Sequence, residues 1–186
     1  LSAKETEDGT LFSVTIEPLK PLVVIFDETE ETLSEPLVLS GEKQPLAANW
    51  KRSLCRSIDY PAFQKEKTVT LPDHLAEEEP LFSGFVRYEN TISCKKGEGL
   101  LLEISKAAEG VEVFVNGVSA GIQIAAPYRY DLSSLVKEGE NELRIEVATT
   151  LEREMSQHPD PMMAMMGVKS VPTSESGITG MVCIEK

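Results

Sequence analysis

Three groups of residues have types and spacings that chemistry could use. Gly117-Val118-Ser119-Ala120-Gly121 matches G-x-S-x-G, the elbow from which a serine hydrolase presents its nucleophile. That chemistry needs a strand, a strained turn and a helix around the serine, with a histidine base within hydrogen-bond reach. Here Gly121-Ile122-Gln123-Ile124 reads as a continuing strand, and His74 and His158 lie in loop-like, proline-flanked contexts. The motif therefore reads as a hairpin, and an esterase using Ser119 is the reading against it. Paired carboxylates are the second group, since glycoside hydrolysis uses two acids about 5–9 Å apart. With 31 Asp and Glu residues some pair will meet by chance, so a pair means nothing without a cleft. Glu77-Glu78-Glu79 is expected to be a solvated loop. The third group is Met155, Met162, Met163, Met165 and Met166. Thioethers can bind Cu(I) or form an adaptable apolar surface. Packing of a loop is the expected role, and contact with a domain beyond this chain is the second option.

Other site types are poorly represented. Cys55, Cys94 and Cys183 cannot pair completely and have no zinc-ligand spacing, so they read as small buried hydrophobes. The acids Asp27, Glu28, Glu30, Glu31 and Glu35 lack the D-x-D-x-D-G spacing of a calcium loop and read as a solvated linker. There is no Walker loop, dinucleotide fingerprint or H-E-x-x-H, so no cofactor or metal is expected. Aromatic residues make up 6% of the chain. Sugar sites commonly stack a ring on a pyranose and fix its hydroxyls with polar groups. Trp50, Tyr60, Tyr128 and Tyr130 are the candidates, and for each a buried structural role competes.

The chain has 186 residues, with 18 Lys and Arg against 31 Asp and Glu, for a net charge of −13. Its 41% hydrophobic and 26% charged residues are those of a globular domain of ordinary size. No basic stripe is present, which argues against a nucleic-acid partner. No apolar run approaches the ~20 residues of a bilayer-crossing helix, so no membrane partner is expected. The opening Leu1-Ser2-Ala3-Lys4 reads as a piece cut from a longer polypeptide.

The elements that must position these residues are strands. Leu11–Ile16 and Leu22–Phe26 are short β-rich runs separated by Pro18 and Pro21, which interrupt ladder pairing. A boundary is expected between Glu35 and Pro45. Beyond Trp50 the period is two: Val86, Tyr88, Ile92 and Cys94 share one face, and Arg87, Glu89, Thr91 and Ser93 the other. Leu100/Leu102/Ile104, Val111/Val113/Val115, Ile122/Ile124 and Leu143/Ile145/Val147 repeat it, and Gly177–Ile184 reads as a buried strand. Helical turns are expected only at Asp131–Val136 and Leu151–Met155. Asn116-Gly117 is a strong hairpin signal, because both residues tolerate positive φ. Short strands without intervening amphipathic helices predict an all-β sandwich or jelly roll.

Several stretches in order carry a resemblance. They are Gly84-Phe85-Val86-Arg87-Tyr88, Val113-Phe114-Val115-Asn116-Gly117, Pro127-Tyr128-Arg129-Tyr130-Asp131-Leu132, Gly139-Glu140-Asn141-Glu142-Leu143 and Ser176-Gly177-Ile178-Thr179-Gly180-Met181-Val182. Over roughly Trp50 to Ile184 the chain resembles the galactose-binding-like jelly-roll domains of large glycoside hydrolases. Examples are the sugar-binding domain of the family 2 β-galactosidase group and the accessory domain of some α-L-rhamnosidases. The resemblance implies a jelly roll over residues 41–186, preceded at 1–40 by the last strands of another β domain plus a linker. It implies an accessory module of a bacterial hydrolase, because the catalytic acids of those enzymes lie on a (β/α) barrel that this chain cannot contain. No catalytic residue is assigned. The expected partners are carbohydrate and the other domains of the parent hydrolase, with Trp50, Arg87 and Tyr128 as the sugar-contacting residues. The alternative is a structural or protein-interaction sandwich with no sugar affinity. An exposed aromatic beside convergent Arg, Asn or Glu at one end of the sandwich would favour the first reading. An exposed apolar patch near the Met segment would favour docking.

Overall fold

In a computed structural model the described residues are 3–12, 41–95, 99–158, 161–167 and 171–186, with positions 14, 16, 21, 23, 24 and 97. The acidic stretch Asp27–Glu35 lies outside them, as do Leu22, Ile25 and Phe26 of the expected second strand. The chain divides into two units, Leu1–Val38 and Leu39–Lys186. In the first, β1 (Ala3–Thr6) and β2 (Gly9–Phe12) form an antiparallel hairpin.

The second unit is an all-β sandwich. Its larger sheet has the order β5-β4-β6-β11-β8-β9, formed by β4 (Trp50–Cys55), β5 (Gln64–Val69), β6 (Phe85–Cys94), β8 (Gly110–Val115), β9 (Val118–Gln123) and β11 (Gly139–Ala148). Its smaller sheet has the order β10-β7-β12-β3, formed by β3 (Gln44–Pro45), β7 (Leu101–Ile104), β10 (Tyr128–Asp131) and β12 (Val182–Glu185). Every pairing is antiparallel, and the neighbours in each sheet are mostly distant in sequence, as in a jelly roll. Short helices α1 (Leu75–Glu78), α2 (Glu152–Met155) and α3 (Pro161–Met165) lie in the connections.

The core follows the alternation. Val86, Tyr88, Ile92, Val111, Val113, Val115, Leu143, Ile145 and Val147 from the larger sheet meet Leu102, Ile104, Tyr128, Tyr130, Val182 and Ile184 from the smaller. One expected stretch differs: Ile122 and Ile124 are 66% and 81% exposed. Strand β9 is a sheet edge with an irregular register against β8, and its inward position goes to Ala120. The expected helical turn at Asp131–Val136 is a single turn, in which the amides of Leu135 and Val136 donate to the Leu132 carbonyl. Glu77–Glu79 is not the solvated loop expected. Glu77 and Glu78 belong to α1, while Glu78 pairs with Arg52 and Lys67 and Glu79 pairs with Lys65.

Two motif asparagines meet in the structure. The turn Asn116-Gly117 has φ of 50° and 83° and joins β8 to β9. The Asn116 amide donates to Asn141 Oδ1 at 2.8 Å, and Asn116 Oδ1 accepts from the Glu142 amide. Buried Asn141 also bonds the Lys137 amide and carbonyl, so it closes the loop that opens β11. Without these partners a buried amide would remain unsatisfied.

A buried polar group ties the layers together. Asp73 accepts from Arg52 Nη1 at 2.8 Å and from the Tyr88 hydroxyl at 2.7 Å, while its amide donates to the Ile178 carbonyl. Tyr88 also accepts from the Ile178 amide at 3.2 Å. Gly177, at φ 77°, makes room for this, because a Cβ there would collide with the Tyr88 hydroxyl. Removing Asp73 leaves Arg52 Nη1 and the buried Tyr88 hydroxyl without their acceptor, although Glu78 still holds the other arm of Arg52, so Asp73→Ala should cost about 3 kcal/mol in urea unfolding.

Hydrogen bonds from Arg52 and then Lys67 lower Glu78 to about 2. A carboxylate depressed in the folded state stabilises above its unfolded pKa and loses that contribution as the pH falls through the folded value. Stability should therefore drop between about pH 4.5 and 2, and less steeply in Glu78→Gln, as followed by circular dichroism at each pH.

Candidate functional site

The outward face of the larger sheet is organised by the β4–β5 connection. Cys55 ends β4, and the chain then runs through a 3₁₀ turn at Ser57–Asp59 to Tyr60 and Phe63, which fold over the sheet. Tyr60 lies 4.6 Å from Phe85 between ring centroids and meets Phe63 edge-on at 5.9 Å. Phe63 in turn carries the Arg87 guanidinium 3.7 Å above its ring. Beneath them is Glu146, which faces out from β11 directly opposite Arg87 of β6. It accepts from Arg87 Nε at 3.0 Å and from the Tyr60 hydroxyl at 3.1 Å, and lies 3.4 Å from Arg144 Nε. Arg144 is stacked on Phe114. Glu146 is buried by these partners and not by an inward orientation.

The result is a small platform of aromatic rings and planar charged groups. Tyr60 is 46% exposed and is the one exposed large aromatic among the described residues. An exposed ring beside fixed guanidinium and carboxylate groups can stack on an apolar sugar face and orient hydroxyls.

A two-lobed groove borders the same connection. One lobe, about 470 Å³, is lined by Glu79, Pro80, Leu81, Phe82, Ser83 and Gln157, and the other, about 420 Å³, by Ser57, Ile58, Leu151 and Met155. They share Arg56, Glu154 and His158, and an exposed Arg56–Glu154 ion pair of 3.2 Å lies between them. Helix α2 is held against the opposite wall by Arg153, which donates to the carbonyls of Pro80 and Ser174, and by the Glu154 amide, which donates to Ser83 Oγ. Glu152 accepts from Ser174 and Thr173 and is lowered to about 2 by those bonds. Ile58, Leu151 and Met155 are all more than half exposed, so the second lobe presents an apolar surface.

The structure does not bring the three sequence-predicted residues together. Trp50 is fully buried at the start of β4, with its indole N–H donating to the Leu46 carbonyl. Tyr128 is buried in the smaller sheet, with its hydroxyl donating to the carbonyls of Glu109 and Ala107. Both rings therefore face core side chains, because the alternation turns positions 50 and 128 inward. Arg87 alone faces outward, and it is joined by Tyr60, Phe63 and Glu146. Glu146 carried a readable signal: it stands between the inward-facing Ile145 and Val147, on the outward side of β11 with Glu140, Glu142 and Arg144. Phe63 carried none, since its role depends on how the connection folds.

Ser119 sits on the edge strand β9 after a hairpin turn, and its hydroxyl donates to Glu112 at 2.7 Å and accepts from the Gly121 amide. Among the described residues no group of three His, Cys, Asp or Glu side chains converges as a metal site. No described helix is long and apolar enough to cross a membrane.

Solved structures share this architecture. A rhamnosidase from Novosphingobium sp. PP1Y matches 86% of the chain at a TM-score of 0.60 and 23% identity, over 16% of its own length. The β-glucuronidase of Faecalibacterium prausnitzii matches 82% at a TM-score of 0.57 and 12% identity, and that of Bifidobacterium dentium 81% at 0.56 and 16%. The chain spans 32% and 31% of those two proteins. The likeness is one of fold. It shows a β-sandwich that large glycoside hydrolases carry as one part of a much longer chain. No protein-family model matches the sequence, and no curated protein matches it.

Removing the hub of the platform should loosen it. Glu146→Ala leaves Arg87 and the Tyr60 hydroxyl without their acceptor and Arg144 without its ion-pair partner, and should cost about 2–3 kcal/mol. Urea denaturation measures that loss, and near-ultraviolet circular dichroism should report a changed Tyr60 signal.

Proposed function

We propose that this chain is a non-catalytic accessory module of a larger glycoside hydrolase, and that it contacts glycan through the Tyr60–Phe63–Arg87 platform. The observation that carries the reading is the placement of an exposed tyrosine ring beside Arg87 and Glu146, on a sandwich whose structural relatives include a rhamnosidase and β-glucuronidases. Residues 41–186 would be the module, and residues 1–40 the end of a preceding β domain with its linker. Arg87 serves here as a positioning residue, because Phe63 and Glu146 already occupy its guanidinium.

Calorimetric titration of the chain with a panel of mono- and oligosaccharides tests this. At least one sugar should bind, and Tyr60→Ala should weaken it roughly tenfold through loss of ring contact. Absence of binding to every sugar would leave a second reading, in which the module packs against other domains of the hydrolase. The exposed Ile58, Leu151 and Met155 beside the groove favour that reading. In that case Ile58→Asp and Met155→Asp should each weaken association with the remainder of the enzyme in a pull-down.

A further inference from the structure

The outward face of the larger sheet has a second concave feature. An open depression of about 440 Å³ is lined by Asn49, Lys51, Glu89, Asn90, Thr91 and Glu142. Its groups come from three adjacent strands, with Lys51 of β4 opposite Glu89 of β6, and Thr91 of β6 opposite Glu142 of β11. Asn49 enters from the preceding loop at φ 65°. The Asn90 amide is already committed, donating to the Ala48 carbonyl and accepting from the Thr91 amide. By contrast, among the described residues the Glu89 and Glu142 carboxylates, the Thr91 hydroxyl and the Asn49 side-chain amide have no hydrogen-bond or ion-pair partner, and Lys51 reaches the exposed Glu66 at 3.7 Å.

We propose that this depression is a subsite for the hydroxyls of a neutral sugar, continuing along β6 from the Tyr60–Arg87 platform; it rests on the glycan-contacting reading above. Sugar hydroxyls donate and accept at once. Two carboxylates supply acceptors, an ammonium supplies donors, and an amide and a hydroxyl supply both. Its six lining residues are all polar or charged, so its directional groups suit a hydroxylated ligand. Thr91 lies four residues along the strand from Arg87, about 13 Å away, so one glycan chain can span both features. The charge sets selectivity: two carboxylates face one ammonium, within a chain of net charge −13, so a uronic acid meets repulsion that a neutral sugar escapes.

Amide-resolved NMR titration of the 186-residue chain with lactose and, separately, with methyl β-D-glucuronide tests the proposal. Lactose should shift the amides of Asn49, Thr91 and Glu142 saturably, and Thr91→Ala and Glu89→Ala should each weaken it several-fold. The glucuronide should bind about fivefold more weakly, with the gap narrowing in Glu142→Gln. Equal affinity for the two sugars would overturn the selectivity. Shifts confined to Tyr60, Phe63 and Arg87 would overturn the subsite and leave the platform standing, whereas no shift anywhere would overturn both.

Discussion

The buried carboxylate of Asp73 is the constraint around which the sandwich is arranged. A charge in the interior must be paired and hydrogen-bonded, because its desolvation would otherwise exceed anything the core gains nearby. The Asp73 carboxylate meets that requirement through Arg52 and Tyr88 on the larger sheet and the His74 amide, while its own amide donates to the Ile178 carbonyl on the approach to the smaller sheet. The requirement then propagates. Arg52 must point inward from β4, Tyr88 must cross the core, and position 177 must lack a side chain. Glu78 takes the other arm of Arg52, which brings α1 to the sheet end.

The same logic governs the outward face at lower cost. Glu146 is buried without being inside the core, and it is satisfied by two arginines and a tyrosine whose own rings and stems cover it. This cover makes the platform: the partners that shield the carboxylate are also the groups left at the surface. The β4–β5 connection serves twice, since Tyr60 and Phe63 build the platform while Arg56 and Ile58 line the groove.

Fold likeness alone leaves function open, because one sandwich can carry many roles. What separates the roles here is surface chemistry. Aromatic and polar groups stand on the sheet face, large aliphatic side chains beside the groove, and unpaired polar groups in the depression at Glu89 and Thr91. The platform and the depression suit a glycan and the aliphatic groove suits a protein surface, and they occupy separate stretches of the larger sheet and its connections.

The sequence by itself determined the class of fold and much of the core. Period-two runs in β6, β7, β8 and β11 place their apolar residues inward, and Asn116-Gly117 dictates its hairpin, because these preferences are local to a few neighbouring residues. It also marked Arg87 as outward-facing. Tertiary structure decided the rest. Trp50 and Tyr128 went to the core because burying a large ring, with its N–H or O–H paired to a nearby carbonyl, outweighs leaving it in water. Ile122 and Ile124 stayed outside because an irregular edge strand gave the inward position to Ala120. The meeting of Tyr60 and Phe63 with Arg87 and Glu146, and the placement of Lys51, Glu89 and Glu142 around one depression, depend on the order in which distant strands pair. Neither local pattern nor composition encodes that order.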